Sequence, residues 1–100
     1  MSTEQPLVLI NAFEVAEGND DEFVAAWQPA REFLETQPGY AGTTLHQTVS
    51  PDSEFRFVNV ARWQTAQEFQ AAVTSDAFRA AAAGLAQFRS HPGLYRVVGA

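Results

Sequence analysis

Asn59 and Trp63 are the side chains in this sequence best placed for chemistry on a small molecule. They lie four apart in a run, 54–63 (EFRFVNVARW), that otherwise reads as an apolar strand. Strand side chains alternate, so Phe55, Phe57, Asn59, Ala61 and Trp63 share one side, the indole about 13 Å beyond the amide at ~3.3 Å per residue. A carboxamide brings two donors and an acceptor, an indole one donor. Aimed into one pocket, such groups can hold an oxygen atom as negative charge develops on it. Asn11 is the matching polar interruption of an earlier apolar run, 7–15 (LVLINAFEV). His46, in a more polar run, titrates near neutrality and is a candidate general base. Each has a plainer reading: amides bonded to backbone or to one another, an indole that is only core, and a histidine that is a hydrogen-bonded bystander. The run 80–84 (AAAAG) has side chains too small to fill space opposite Phe57 and Trp63. Ala82 and its neighbours therefore either pack tightly or leave room for a flat aromatic ligand.

What the chain lacks narrows the chemistry. It has no cysteine, hence no thiolate nucleophile, disulfide or thiolate metal site. It has no lysine for a Schiff base, no GxGxxG or GxxxxGK phosphate loop, and no metal-type spacing around its two histidines, His46 and His91. The net charge is −6 and the six basic residues, all arginine, are scattered. Without a basic stripe, nucleic acid and anionic membrane are poor partners. No apolar run approaches the ~18–20 residues that span a bilayer. The first residues lack the basic start and apolar stretch of a signal peptide, which makes the cytoplasm the expected location.

The elements that must position these residues follow from periodicity and punctuation. One hundred residues make one domain, with 1–6 read as a flexible N-terminus. Residues 7–15 form a strand. Asn19 and Glu22 have the spacing of a capping box, opening a helix whose apolar face is Phe23, Trp27, Ala30 and Leu34. Pro29 lies inside that helix and is expected to kink it locally. Residues 40–49 and 54–63 are strands joined by the turn Ser50-Pro51-Asp52-Ser53. Thr65 and Glu68 make a second capping box, with Phe69 and Val73 on one helix face. Ser75 caps a longer helix carrying Phe78, Ala81, Ala82, Leu85 and Phe88 inward. His91-Pro92-Gly93 ends it, and 94–98 is the last strand. The order βαββαβ predicts an α+β, ferredoxin-like fold: a four-stranded antiparallel sheet with its helices on one face.

The face left bare should be polar in a monomer. Instead Val8, Ile10, Ala12, Val58 and Val60 fall on it, with Glu14, Arg56 and Arg62 at its ends, so both sides of both strands are substantially apolar. At ~25 cal/mol per Å² of apolar area, leaving that face wet forgoes several kcal/mol, so a second copy of the chain is expected to cover it.

Over nearly its whole length the chain resembles the antibiotic biosynthesis monooxygenase family of dimeric α+β barrels. The stretches that carry the resemblance are VLINAFEVAEG at 8–18, QPGYAGTTLHQ at 37–47, FRFVNVARWQTAQEF at 55–69, SDAFRAAAAGLA at 75–86 and HPGLYRVV at 91–98. The resemblance implies the same fold and a homodimer. One branch of the family oxidises anthrones of aromatic polyketides with no cofactor and O₂ as co-substrate. Its mark is an Asn and a Trp four apart at the end of the third strand, which Asn59 and Trp63 match. The roles implied for them are hydrogen bonds to the substrate oxygens and to a peroxy intermediate. Beside that pair, the residues themselves point to Asn11 as polar pocket lining, His46 as proton acceptor and Phe57 as a substrate-binding residue. Phe69 stands where that branch often has a tyrosine, so a ring remains and a hydroxyl is lost. The haem-degrading branch shares Asn11 and Trp63 but needs a histidine where Ala82 stands, which disfavours haem. The resemblance thus implies a cofactor-independent monooxygenase acting on a small, electron-rich aromatic. A non-catalytic ligand-binding or regulatory dimer and a non-redox cyclase or isomerase are alternatives on the same fold.

Overall fold

A computed structural model describes residues 6–100. The expected flexible N-terminus, Pro6 apart, lies outside the described residues. The order is β1 (Leu7–Glu14), α1 (Asp20–Glu35), β2 (Tyr40–Gln47), β3 (Phe57–Trp63), α2 (Ala66–Val73), α3 (Asp76–Ala81), a 3₁₀ turn (Ala83–Gln87) and β4 (Arg89–Tyr95). The strands form one antiparallel sheet in the order β2-β3-β1-β4, as the ferredoxin-like expectation requires. Among the described residues no helix is long and apolar enough to cross a membrane.

Register sets the two faces. Leu7, Leu9, Asn11 and Phe13 of β1 lie opposite Trp63, Ala61, Asn59 and Phe57 of β3, all toward the helices. Two apolar clusters hold the layers together. At one end, Phe23 of α1 is fully buried among Phe13, Phe57 and Phe88, its ring stacked on Phe57 with centroids 4.5 Å apart. At the other, Leu7, Ala61 and Trp63 meet Phe69 and Ala72 of α2. Burying a large apolar side chain contributes roughly 1.5–3 kcal/mol, so these clusters supply much of the favourable term.

Several local expectations are corrected. Asn19 makes no side-chain cap: with ψ near 17° its backbone is not extended, and only its carbonyl joins the helix, accepting from Phe23 N at 3.0 Å. Thr65 and Ser75 are extended and do cap, each accepting from the amide three residues on. Pro29 lies inside α1, as expected, and the helix runs on through it to Glu35. The alanine-rich helix stops at Ala81 and tightens into the 3₁₀ turn, where Leu85 N bonds to Ala82 O. Gly84 lets this turn lie close to α1, since a Cβ there would come within 3.2 Å of the Ala26 Cβ. His91, Pro92 and Gly93 do not break the chain but lie inside β4, which therefore begins at Arg89 and ends at Tyr95. As β4 is an edge strand, the missing proline N–H is tolerated there.

The start of β3 also departs from simple alternation. Arg56 reaches Asp20 at the head of α1, and Phe55 instead sets its ring against His91, centroids 5.0 Å apart. Phe55 thus leaves the face of Phe57, and the regular strand starts one residue after Arg56.

Candidate active site

Between the two apolar clusters the helix-facing side of the sheet turns polar. Asn11 and Asn59 are direct partners across β1 and β3. Such neighbours stand about 4.5–5.5 Å apart at Cβ. Thr43 of β2 lies one rung along, opposite Ala61. Over this row the inward side of α1 offers Trp27, then Ala30, whose methyl leaves the gap unfilled. The result is a cavity of about 70 Å³ lined by Asn11, Asn59, Thr43 and Trp27 together with apolar side chains that include Phe78 and Leu85.

Its polar groups are incompletely paired. Trp27 Nε1 donates to Asn59 Oδ1 at 3.2 Å. Asn11 Oδ1 and Thr43 Oγ1 are buried with no partner among the described residues. A buried group left so costs about 1–3 kcal/mol unless something else satisfies it. Asn59 is the one polar residue of the described core that is buried as a whole. Arg31 completes the outer wall, its guanidinium 5.9 Å from the Trp27 ring centre and paired with Glu35. Among the described residues no histidine or carboxylate lines the cavity.

The structure brings together Asn11 and Asn59 of the residues singled out in the sequence. Trp63 shares their sheet face but lies in the neighbouring cluster, edge-on to Tyr40 and Phe69, with its Nε1 buried and unpartnered. Leu9, Leu34 and Val73 pack on that cluster and also line the cavity, so they stand between the two. Phe69 meets Trp63 edge-on, and Phe57 stacks on Phe23; neither is among the residues that line the cavity. Ala82 sits at the end of α3, outside the lining, which takes Phe78 and Leu85 from either side of it. His46 pairs with Val58, whose side chain faces away from the helices, and its Nδ1 lies 3.2 Å from Val58 O. It belongs to the opposite face.

Trp27 and Thr43 were not singled out as site residues. For Trp27 the helical spacing hid the signal, because an inward tryptophan reads as core. For Thr43 the signal was present: it shares the parity of Leu45 in β2, the strand that pairs with β3.

A haem does not fit these residues. Ala82 offers no ligand, and both His46 and His91 belong to the far side of the sheet, the latter opposite Ala12 with its Nε2 2.6 Å from Glu14.

Residues 6–84 match the antibiotic biosynthesis monooxygenase family. Among solved structures, a candidate monooxygenase from Shewanella loihica is 32% identical, with a TM-score of 0.85 over 99% of this chain and 100% of that one. SnoaB, a cofactor-independent oxygenase from Streptomyces nogalater, is 26% identical, with a TM-score of 0.84 over 96% of each chain. A candidate antibiotic biosynthesis monooxygenase from Nitrosomonas europaea shares the fold at 18% identity and a TM-score of 0.77, over 98% of this chain and 95% of that one. No curated protein sequence matches the chain.

Proposed function

The chain belongs to the antibiotic biosynthesis monooxygenase family, and on that premise we propose that it oxidises a flat, electron-rich aromatic of the anthrone or quinol type with O₂, without a cofactor. The observation that carries the reading is the Asn59 amide, its oxygen held by Trp27, beside the unpaired Asn11 Oδ1 and Thr43 Oγ1 at a cavity whose other walls are largely apolar. The likeness to a cofactor-independent oxygenase over nearly the whole chain adds to it.

The chemistry asks little of the protein beyond orientation and charge stabilisation. An anthrone methylene loses a proton to give an enolate. One electron passes to O₂, and the radical pair joins through a new C–O bond as a peroxide. Protonation and loss of water then break the O–O bond and leave a quinone carbonyl. One oxygen atom ends in product and one in water, the substrate supplying all four electrons. Asn59 donates to the ring oxygen as it gains charge, and Asn11 accepts from a neighbouring hydroxyl. Trp63, with its buried free N–H, is the second donor, reached when the ligand displaces the leucine and valine side chains that screen it. With no base lining the cavity among the described residues, the proton passes to solvent, and the rate follows the substrate's own ionisation.

Size adds a condition. Pockets for ligands of this kind run to about 300–1,000 Å³, and this one holds about 70 Å³. Phe78 and Leu85, on the short α3 and the 3₁₀ turn, form the wall that yields. The bare sheet face, with Val8, Ile10, Ala12, Val58 and Val60, supports the homodimer.

The test is ¹⁸O₂ with 1,8-dihydroxyanthrone in metal-free buffer. The expected result is one labelled oxygen in the new carbonyl at a rate well above the uncatalysed one. No rate above background with this anthrone or with a hydroquinone overturns the reading. A raised melting temperature without turnover would instead make the chain a binding protein, and product formed under argon a cyclase or isomerase.

A further inference from the structure

An indole N–H can only donate, and the two ends of a carboxamide are unlike, the oxygen accepting and the NH₂ donating. Because Trp27 Nε1 donates to Asn59 Oδ1, the oxygen end of that amide is occupied from the helix side. The Nδ2 group is thereby turned away from the indole, on the sheet face where the neighbouring Asn11 Oδ1 and Thr43 Oγ1 are buried without a partner among the described residues. Without the indole, a half-turn of the amide about its last torsion exchanges the two ends at little cost. A ligand oxygen bearing negative charge would then meet a carbonyl oxygen in place of two donors, and attraction would become repulsion.

We propose that Trp27 is a positioning residue: it locks the Asn59 carboxamide with its NH₂ toward the cavity, so that the site presents donors to an anionic oxygen. The proposal rests on the reading of the cavity as the place where an aromatic enolate is oxidised. Trp27 is itself held from two sides. Its N–H end is tied to β3 through Asn59, and its ring lies beneath the Arg31 guanidinium, which Glu35 anchors one helical turn further on. A side chain so fixed orients its partner without touching the reacting atoms. The sequence places it on the helix, whereas Asn59 is on the strand, so the lock closes only when the two layers pack.

The experiment has two arms. In the first, Trp27→Phe, Asn59→Ala and the double variant are compared for kcat and KM on 1,8-dihydroxyanthrone. Trp27→Phe is expected to lower kcat by about 10-fold with little change in KM, and to have less than a twofold further effect once Asn59 is alanine, as for residues acting as a unit. Equal losses in both backgrounds mean that Trp27 only supports the fold, and overturn the proposal, as does an unchanged kcat. The second arm needs no ligand. The two indole N–H resonances of the ¹⁵N-labelled protein are assigned by the one that Trp27→Phe removes. Asn59→Ala is expected to move the Trp27 resonance upfield and to leave that of Trp63 in place. If the Trp27 resonance does not move, the bond is absent in solution and the lock fails, whatever the activity. If it moves but the wild type oxidises nothing, the lock stands and the oxygenase reading falls.

Discussion

The two faces of the sheet are built from alternate residues of the same strands. Asn11, Asn59 and Leu45 look toward the helices, while Ala12, Val58 and His46, each one residue away in sequence, look outward. The covered face is the one with two amides near its middle, and the uncovered face is the one with Val8, Ile10, Ala12, Val58 and Val60. A chain tuned only for its own stability would carry the reverse, since buried amides cost when unpaired and half-buried valines gain less than buried ones. The inversion teaches what each face meets. On the function proposed above, the polar break in the covered face takes the ligand, and the apolar uncovered face takes a second copy of the chain.

The largest effect is expected from breaking the outward side. Val60→Asp puts a carboxylate in the middle of the bare face, and in a twofold contact the two copies bring like charges together, at a cost of several kcal/mol. The wild type should sediment as two chains at micromolar concentration. The variant should sediment as one, with association weakened by about 100-fold or more. A wild type that already sediments as a single chain removes the partner from the outward face and leaves the inward reading untouched.

The inward side is tested by the contrast between Asn59 and His46, which belong to paired strands and opposite faces. Removing one preorganised donor to a developing oxyanion lowers turnover by about 10²–10³. Asn59→Ala should lose at least the lower figure on an anthrone, measured as initial rate of quinone formation. His46→Ala should stay within twofold, and its pH–rate profile should superimpose on that of the wild type. A large loss at His46 would restore an imidazole base to the mechanism and count against the cavity as the reacting place.

The sequence carried most of this contrast, and the particular failures have physical causes. Alternation along β1 and β3 was enough to put Asn11 and Asn59 on one side with Leu9 and Ala61, because a period of two admits no other choice once one member is buried. It failed at Phe55 and Arg56, where an ion pair with a residue 36 positions away outweighs local alternation. His91-Pro92-Gly93 read as a break because proline and glycine punctuate locally, whereas their place on an edge strand is a property of the whole sheet. The alanine run read as one helix because nothing in it reports the approach of Ala26. The cavity was legible in part. Small residues and lone amides can be counted in a sequence, but which wall they share depends on how α1 lies across the strands. That crossing puts Trp27 over Asn59 and leaves Trp63 behind Leu9, Leu34 and Val73.

The smallest effect concerns the place where the two faces exchange residues. At the entrance to β3, Arg56 goes to the helix side and Phe55 to the other, and the exchange is held by Asp20, which also accepts from Gln47 at 2.9 Å. The hydrogen bond from Arg56 holds the Asp20 carboxyl below its ordinary 3.8, and the guanidinium in turn is pushed up. A carboxyl depressed by folding contributes stability that is fully present above the unfolded value and lost as pH falls through the folded one. Asp20→Asn should therefore melt slightly lower than the wild type at neutral pH, and the gap should close as the pH is taken below about 4. Both groups are solvent-accessible, so salt should narrow the gap as well. If melting curves of the two proteins differ equally at pH 7 and pH 3, charge is not what keeps Arg56 on the helix side, and the backbone of 54–57 holds the exchange alone.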